Sequence, residues 1–164
     1  MKSLFILQLV CCVITAMLAL QLAMASLQVR WKVWRYEISR WILVASMLFF
    51  SVHYLLQMLH GLRAQGTDVG AAFNILFYTP VAFAITLSII NIESTGSKVR
   101  RYCLRGMMAY ILIAIVFVIG MFKSQSLHIG NMLYVMLGLF VASMAYFILI
   151  IRKETKARKQ KLME

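Results

Sequence analysis

Residues 41–62 read WILVASMLFFSVHYLLQMLHGL, and the assignment of the whole chain turns on them. A helix of this length rises roughly 33 Å at about 1.5 Å per residue, enough to cross a hydrocarbon core about 30 Å thick. The stretch holds no Lys, Arg, Asp or Glu, yet it carries His53, Gln57 and His60. Spacings of four and three residues put these side chains on one helical face. Hydrocarbon cannot hydrogen-bond an imidazole or a carboxamide, so that face is expected to look inward, at other helices or at a wet cavity.

The composition extends this reading to the rest of the chain. Hydrophobic residues make up 63% and the mean hydropathy is +0.86, which excludes an ordinary water-soluble domain. Proline occurs once and no Gly/Ser-rich tract interrupts the 164 residues, so one membrane domain is expected. The net charge of +12 lies between apolar runs, where it serves topology and anionic headgroups; direct nucleic-acid binding is not expected. Cys11 and Cys12 are adjacent in an apolar run and Cys103 lies near a basic segment, a pattern that makes neither a disulfide framework nor a metal motif.

Five apolar runs are expected to span the bilayer, over residues 4–27, 41–62, 71–92, 104–122 and 131–151, giving an all-α bundle. The first begins like a secretory signal, with Lys2 and an Ala23-Met24-Ala25 segment before Ser26. Its length and the basic residues that follow favour an uncleaved span. Between the first two runs, Trp31, Trp34, Tyr36 and Trp41 interleave with Arg30, Lys32, Arg35 and Arg40, the composition of a membrane-interface belt. The third run places Asn74, Tyr78 and Val81 on one face, and Pro80 predicts a kink by removing a donor and crowding the Leu76 carbonyl. The fourth, almost wholly aliphatic, reads as a lipid-facing scaffold. In the fifth, Gly138 and Ala142 form a small-xxx-small pattern that permits close helix approach. Residues 152–164 are a basic tail without Pro or Gly, able to prolong the fifth helix.

Cytoplasmic loops carry the Lys/Arg excess. With the N-terminus outside and the C-terminus cytoplasmic, the interior receives fourteen cations: Arg30, Lys32, Arg35, Arg40, Lys98, Arg100, Arg101, Arg105, Arg152, Lys153, Lys156, Arg158, Lys159 and Lys161. The exterior receives three, Lys2, Arg63 and Lys123. An odd number of spans is what preserves this asymmetry, and it fits a multi-pass protein of a bacterial inner membrane.

In that orientation His53, Gln57 and His60 lie in the outer half of the bilayer, at the depth of Asn74 and Tyr78, with Gln8, Cys11, Cys12 and Thr15 of the first run nearby. Two readings stand side by side. The five residues His53, Gln57, His60, Asn74 and Tyr78 line a pocket for a small amphipathic ligand or a proton, or they bond one another and fix helix register. Haem would need a second facing imidazole, since His53 and His60 are about 10 Å apart along one helix, so neither cofactor nor metal is expected. No carboxylate pair, phosphate-cradling Gly-rich loop, HExxH or GxSxG motif marks an enzyme. Transport ranks low, for want of an inverted repeat or a mid-span acid.

The segments VRWKVWRYEISRW (29–41), VHYLLQM (52–58), NILFYTPVAFAITLSIINIE (74–93) and RKETKARKQ (152–160), in this order, resemble the membrane-embedded N-terminal regions of certain Bacteroidetes signalling proteins. There a multi-span region precedes a cytoplasmic helix-turn-helix or histidine kinase module. The resemblance implies a sensory input whose last helix conveys a packing change. It departs from that pattern at Glu164, with no output module following, so a separate cytoplasmic output protein, or a homo-oligomer, is the expected partner besides the lipid bilayer. The alternative is a non-enzymatic structural or accessory subunit, and after it a small transporter.

Overall fold

The computed structural model describes residues 2–25, 33–61, 66–93 and 96–163. Arg30, Trp31, Lys32 and Arg63 lie outside the described residues. The chain is all-α, with α1 Lys2–Met24, α2 Val33–His60, α3 Thr67–Glu93, α4 Gly96–Ser124 and α5 Met132–Met163. Each helix contains a stretch long and apolar enough to cross a membrane.

Helix ends follow local chemistry rather than the edges of the apolar runs. α2 begins eight residues before position 41, so Trp34, Arg35 and Arg40 sit on its first turns. α4 begins at Gly96, so most of the basic segment before residue 104 is helical as well. Lys and Arg are good helix formers and cost the helix little outside the lipid. The basic tail likewise continues α5, which at 32 residues is about 48 Å long, well beyond the thickness of a hydrocarbon core. α2 stops at Gly61, whose φ of 57° is the left-handed conformation that closes a helix and that glycine reaches without strain. α3 opens on Gly66, whose carbonyl accepts from the Gly70 amide at 3.2 Å. Pro80 lies inside an uninterrupted α3.

The helices form a row that ends in a triangle. Among the described residues α1 packs on α2 alone, α2 on α1 and α3, and α3 on α2, α4 and α5, which also pack on each other. The triangle holds the apolar core, with Ala72 and Ile75 of α3, Ile113 and Phe117 of α4, Ile129 before α5 and Met136 within it. Phe73 and Phe117 meet edge to face, with ring centroids 5.8 Å apart. α4 is therefore a core helix on one side, while Leu104, Met108, Ile111, Ile115 and Ile119 on its other side are exposed. In lipid, apolar exposure carries no penalty and helices associate through packing and hydrogen bonds, and the buried faces of α1 and α2 accordingly carry Gln8, Ser39, Ser46, His53 and Gln57 beside Ala19 and Val44.

Close approach uses glycines other than Gly138. Gly106 of α4 lies directly against the Phe83 ring, and a side chain at Gly120 would come within 2.9 Å of the Ile129 Cβ. Nothing lies within 4 Å of the corresponding position at Gly138, so the 138/142 pattern does not mediate packing inside this chain.

Candidate functional site

Four amide and imidazole side chains converge between α1, α2 and α3. The Gln8 amide donates to Gln57 Oε1 at 3.0 Å, joining α1 to α2. The Gln57 amide donates to Asn74 Oδ1 at 2.7 Å, joining α2 to α3. His53 Nε2 stands 3.1 Å from Asn74 Oδ1 and 3.1 Å from Gln57 Nε2. His53 and Gln57 are each only 1% exposed. Helical spacing creates the arrangement, because residues four apart on α2 stack on one face and the antiparallel α1 and α3 bring their amides to the same depth.

The network has two hydrogen-bond patterns. With a hydrogen on Nε2, His53 donates to Asn74; with a lone pair there, it accepts from the Gln57 amide. Aromatic rings wall it off from lipid. Phe77 lies 4.4 Å from the imidazole centroid, and Tyr54 and Tyr78 lie at 5.5 and 5.6 Å. Tyr54 and Tyr78 both make ring contact with it.

Of the five site residues expected from sequence, four assemble. His53, Gln57 and Asn74 form the bonded centre, and Tyr78 packs edge-on against His53 and against Phe50. His60 is exposed at the end of α2, apart from the cluster. The first helix contributes through Gln8, and through Cys12, whose Sγ lies 3.3 Å from Ser51 Oγ while Ser51 donates to the Cys12 carbonyl at 3.1 Å. Thr15 turns back to the Cys11 and Cys12 carbonyls and takes no part. The polar face is thus filled by its own side chains.

Trp34 and Trp41 are exposed, two turns apart on α2. Arg40 pairs with Glu37 at 2.5 Å, donates to the Ala25 carbonyl, and lies 5.5 Å from the Trp41 ring centroid. Arg35 offers its backbone carbonyl to Asn91 of α3 at 3.0 Å.

Sequence reasoning missed two further links at this same end of the bundle. Ser39 donates to the Ser88 carbonyl at 2.9 Å and receives the Asn91 amide at 3.0 Å, stitching α2 to α3. Glu154, 5% exposed on α5, accepts from the Tyr102 hydroxyl of α4 at 2.9 Å and lies 3.6 Å from Lys98 Nζ. A serine in an apolar run, or a glutamate in a basic tail, carries no signal of its partner. At the opposite end, His128 of the α4–α5 link meets Asp68 of α3 at 2.8 Å. That bond holds the Asp68 carboxyl below its ordinary value. Among the described residues no three His, Cys, Asp or Glu side chains converge as metal ligands.

No protein-family model matches the chain, and no curated protein or solved structure shows significant similarity to it.

Proposed function

We propose that this protein is a non-enzymatic membrane sensor or signal-relay protein, with five spans, an outside N-terminus and a cytoplasmic basic helix at the end of α5, in a bacterial inner membrane. The carrying observation is the buried His53–Gln57–Asn74 cluster, in which one imidazole has two bonding patterns open to it. Imidazole is the side chain that gains or loses a proton in the physiological range. A change at His53 exchanges a bond within α2 for a bond to α3, so the α2–α3 contact is the element with two states that a relay requires. α3 packs on α5, as α4 does, and the extension of α5 would carry the shift to a separate cytoplasmic output protein. The resemblance to Bacteroidetes signalling input regions points the same way.

The orientation rests on charge. Arg35, Arg40, Lys98, Arg100, Arg101, Arg105 and the cations of the α5 extension share one end of the bundle, because antiparallel α1, α2, α3 and α4 return each segment to it. Such an excess faces the cytoplasm.

The test is a distance measurement. Spin labels at Trp34 and Lys159, in protein reconstituted in liposomes, are expected to change separation between pH 8 and pH 5, and His53→Gln is expected to abolish the change while His60→Gln and His128→Gln leave it. A separation indifferent to pH in the wild type would count against the relay. The second reading, a structural or accessory subunit, is favoured by the fact that Gln8, Gln57, His53 and Asn74 satisfy one another; it is the reading that a rigid result would support.

A further inference from the structure

We infer that the groove between the first turns of α4 and the basic extension of α5 is a binding site for a phosphate group, supplied by free phosphate or by an anionic lipid headgroup. This stands independently of the relay reading. The cavity has a volume of about 270 Å³ and is lined by Lys98, Arg101, Tyr102, Arg105, Lys153 and Glu154. At about 30 Å³ per water it has room for roughly nine waters, ample for a phosphate that keeps part of its hydration.

The charges in it do not balance. Four cations face one carboxylate, and that carboxylate is already engaged by the Tyr102 hydroxyl and by Lys98. Arg105 donates to an uncharged phenol, Tyr146, at 3.1 Å. The side chains of Arg101 and Lys153 have neither a hydrogen bond nor an ion pair among the described residues. The groove therefore keeps an excess of three positive charges between two helices, where low-dielectric walls concentrate the field.

Helix geometry sharpens the imbalance. Lys98, Arg101 and Arg105 follow one another at spacings of three and four on one face of α4, within ten residues of its start at Gly96. Lys98, in the first turn, also opposes the positive end of the helix dipole. An anion in the groove would offset both the mutual repulsion and the dipole. Guanidinium forks match phosphate oxygens in pairs, and basic pockets between membrane helices are suited to phospholipid headgroups. Glu154 acts as a positioning residue, holding Tyr102 and Lys98 to one wall while Arg101, Arg105 and Lys153 remain available.

The test uses the full chain in phosphatidylcholine nanodiscs. One arm titrates inorganic phosphate; the other replaces part of the lipid with phosphatidylglycerol; both read the melting midpoint, and native mass spectrometry reads bound lipid. A saturable rise with phosphate identifies the free anion, and a rise with phosphatidylglycerol accompanied by retained lipid identifies the headgroup. Arg101→Gln combined with Lys153→Gln should weaken the response roughly tenfold or more. Arg101→Lys, which keeps the charge, should retain most of it, which guards against reading misfolding as lost binding. Lys156→Gln combined with Lys159→Gln removes the same charge outside the cavity and should leave the response intact. No saturable stabilisation from either source, or an equal loss in both double variants, would overturn the assignment.

Discussion

The Gln57 side-chain amide donates to the Asn74 side-chain oxygen across the α2–α3 interface at 2.7 Å, the shortest of the bonds joining the four-residue cluster. Gln57 bonds to all three other members, so it fixes the depth at which α1, α2 and α3 meet.

Replacing Gln57 with Leu removes its bonds to Gln8, His53 and Asn74 at once and leaves polar groups buried without partners. Interhelical bonds in a membrane average about 0.6 kcal/mol each, and an orphaned buried polar group costs about 1–3 kcal/mol. Gln57→Leu should therefore lower unfolding stability by about 2–4 kcal/mol in a denaturation series in mixed detergent. Stability equal to the wild type would show that the network contributes nothing to cohesion.

Gly120→Ala should destabilise by about 1–3 kcal/mol, because the new Cβ meets Ile129 Cβ at 2.9 Å and Met132 Cβ at 3.2 Å, atoms that move only with the backbone. Gly106→Ala should also destabilise, by driving the Phe83 ring from its place 5.9 Å from Phe147. Gly138→Ala meets nothing within 4 Å and should be neutral, or stabilising by up to about 1 kcal/mol through helix propensity. Melting midpoints of the three variants in one detergent check the order; a Gly138→Ala penalty larger than that of Gly120→Ala would refute it.

Asp68 precedes the apolar span 71–92, and its hydrogen bond to His128 holds its carboxyl below the ordinary range. A depressed carboxyl contributes stability above its unfolded value and loses it as pH falls through the folded value. The wild type should thus lose stability below about pH 5, and Asp68→Asn should flatten that acid limb. Melting curves from pH 3 to pH 7 decide it, with parallel curves for the two proteins contradicting the prediction.

In a background with Cys11, Cys12 and Cys103 replaced by Ala, a cysteine at Ser126 should react with an impermeant maleimide added to intact cells, whereas one at Lys98 or Lys156 should not. Labelling at Lys156 without labelling at Ser126 would reverse the orientation.

The five helices were legible in the sequence because hydrophobicity summed over about twenty residues is a local property, readable without knowing any neighbour. The common face of His53 and Gln57 was legible for the same reason, helical period being fixed by the backbone. Legibility ended at the helix boundaries, since α2 and α4 begin in basic segments that are helical without being apolar. It ended again at Gly138, where a pattern for close packing faces open space while Gly106 and Gly120 make the contacts.

By itself the sequence determined an all-helical chain with five stretches long and apolar enough to span a membrane, basic segments between and after them, and a polar stripe on its second helix. Only the tertiary structure decided that α1 touches α2 alone, that Gln8 completes the stripe while His60 stays out of it, and that Glu154 reaches Tyr102 and Lys98. The reason is that periodicity tells which side of a helix is polar, whereas the partner of a buried amide or carboxylate depends on which helices are adjacent and at what depth they cross. Those are properties of packing, to which residues 49 or 52 positions apart contribute together.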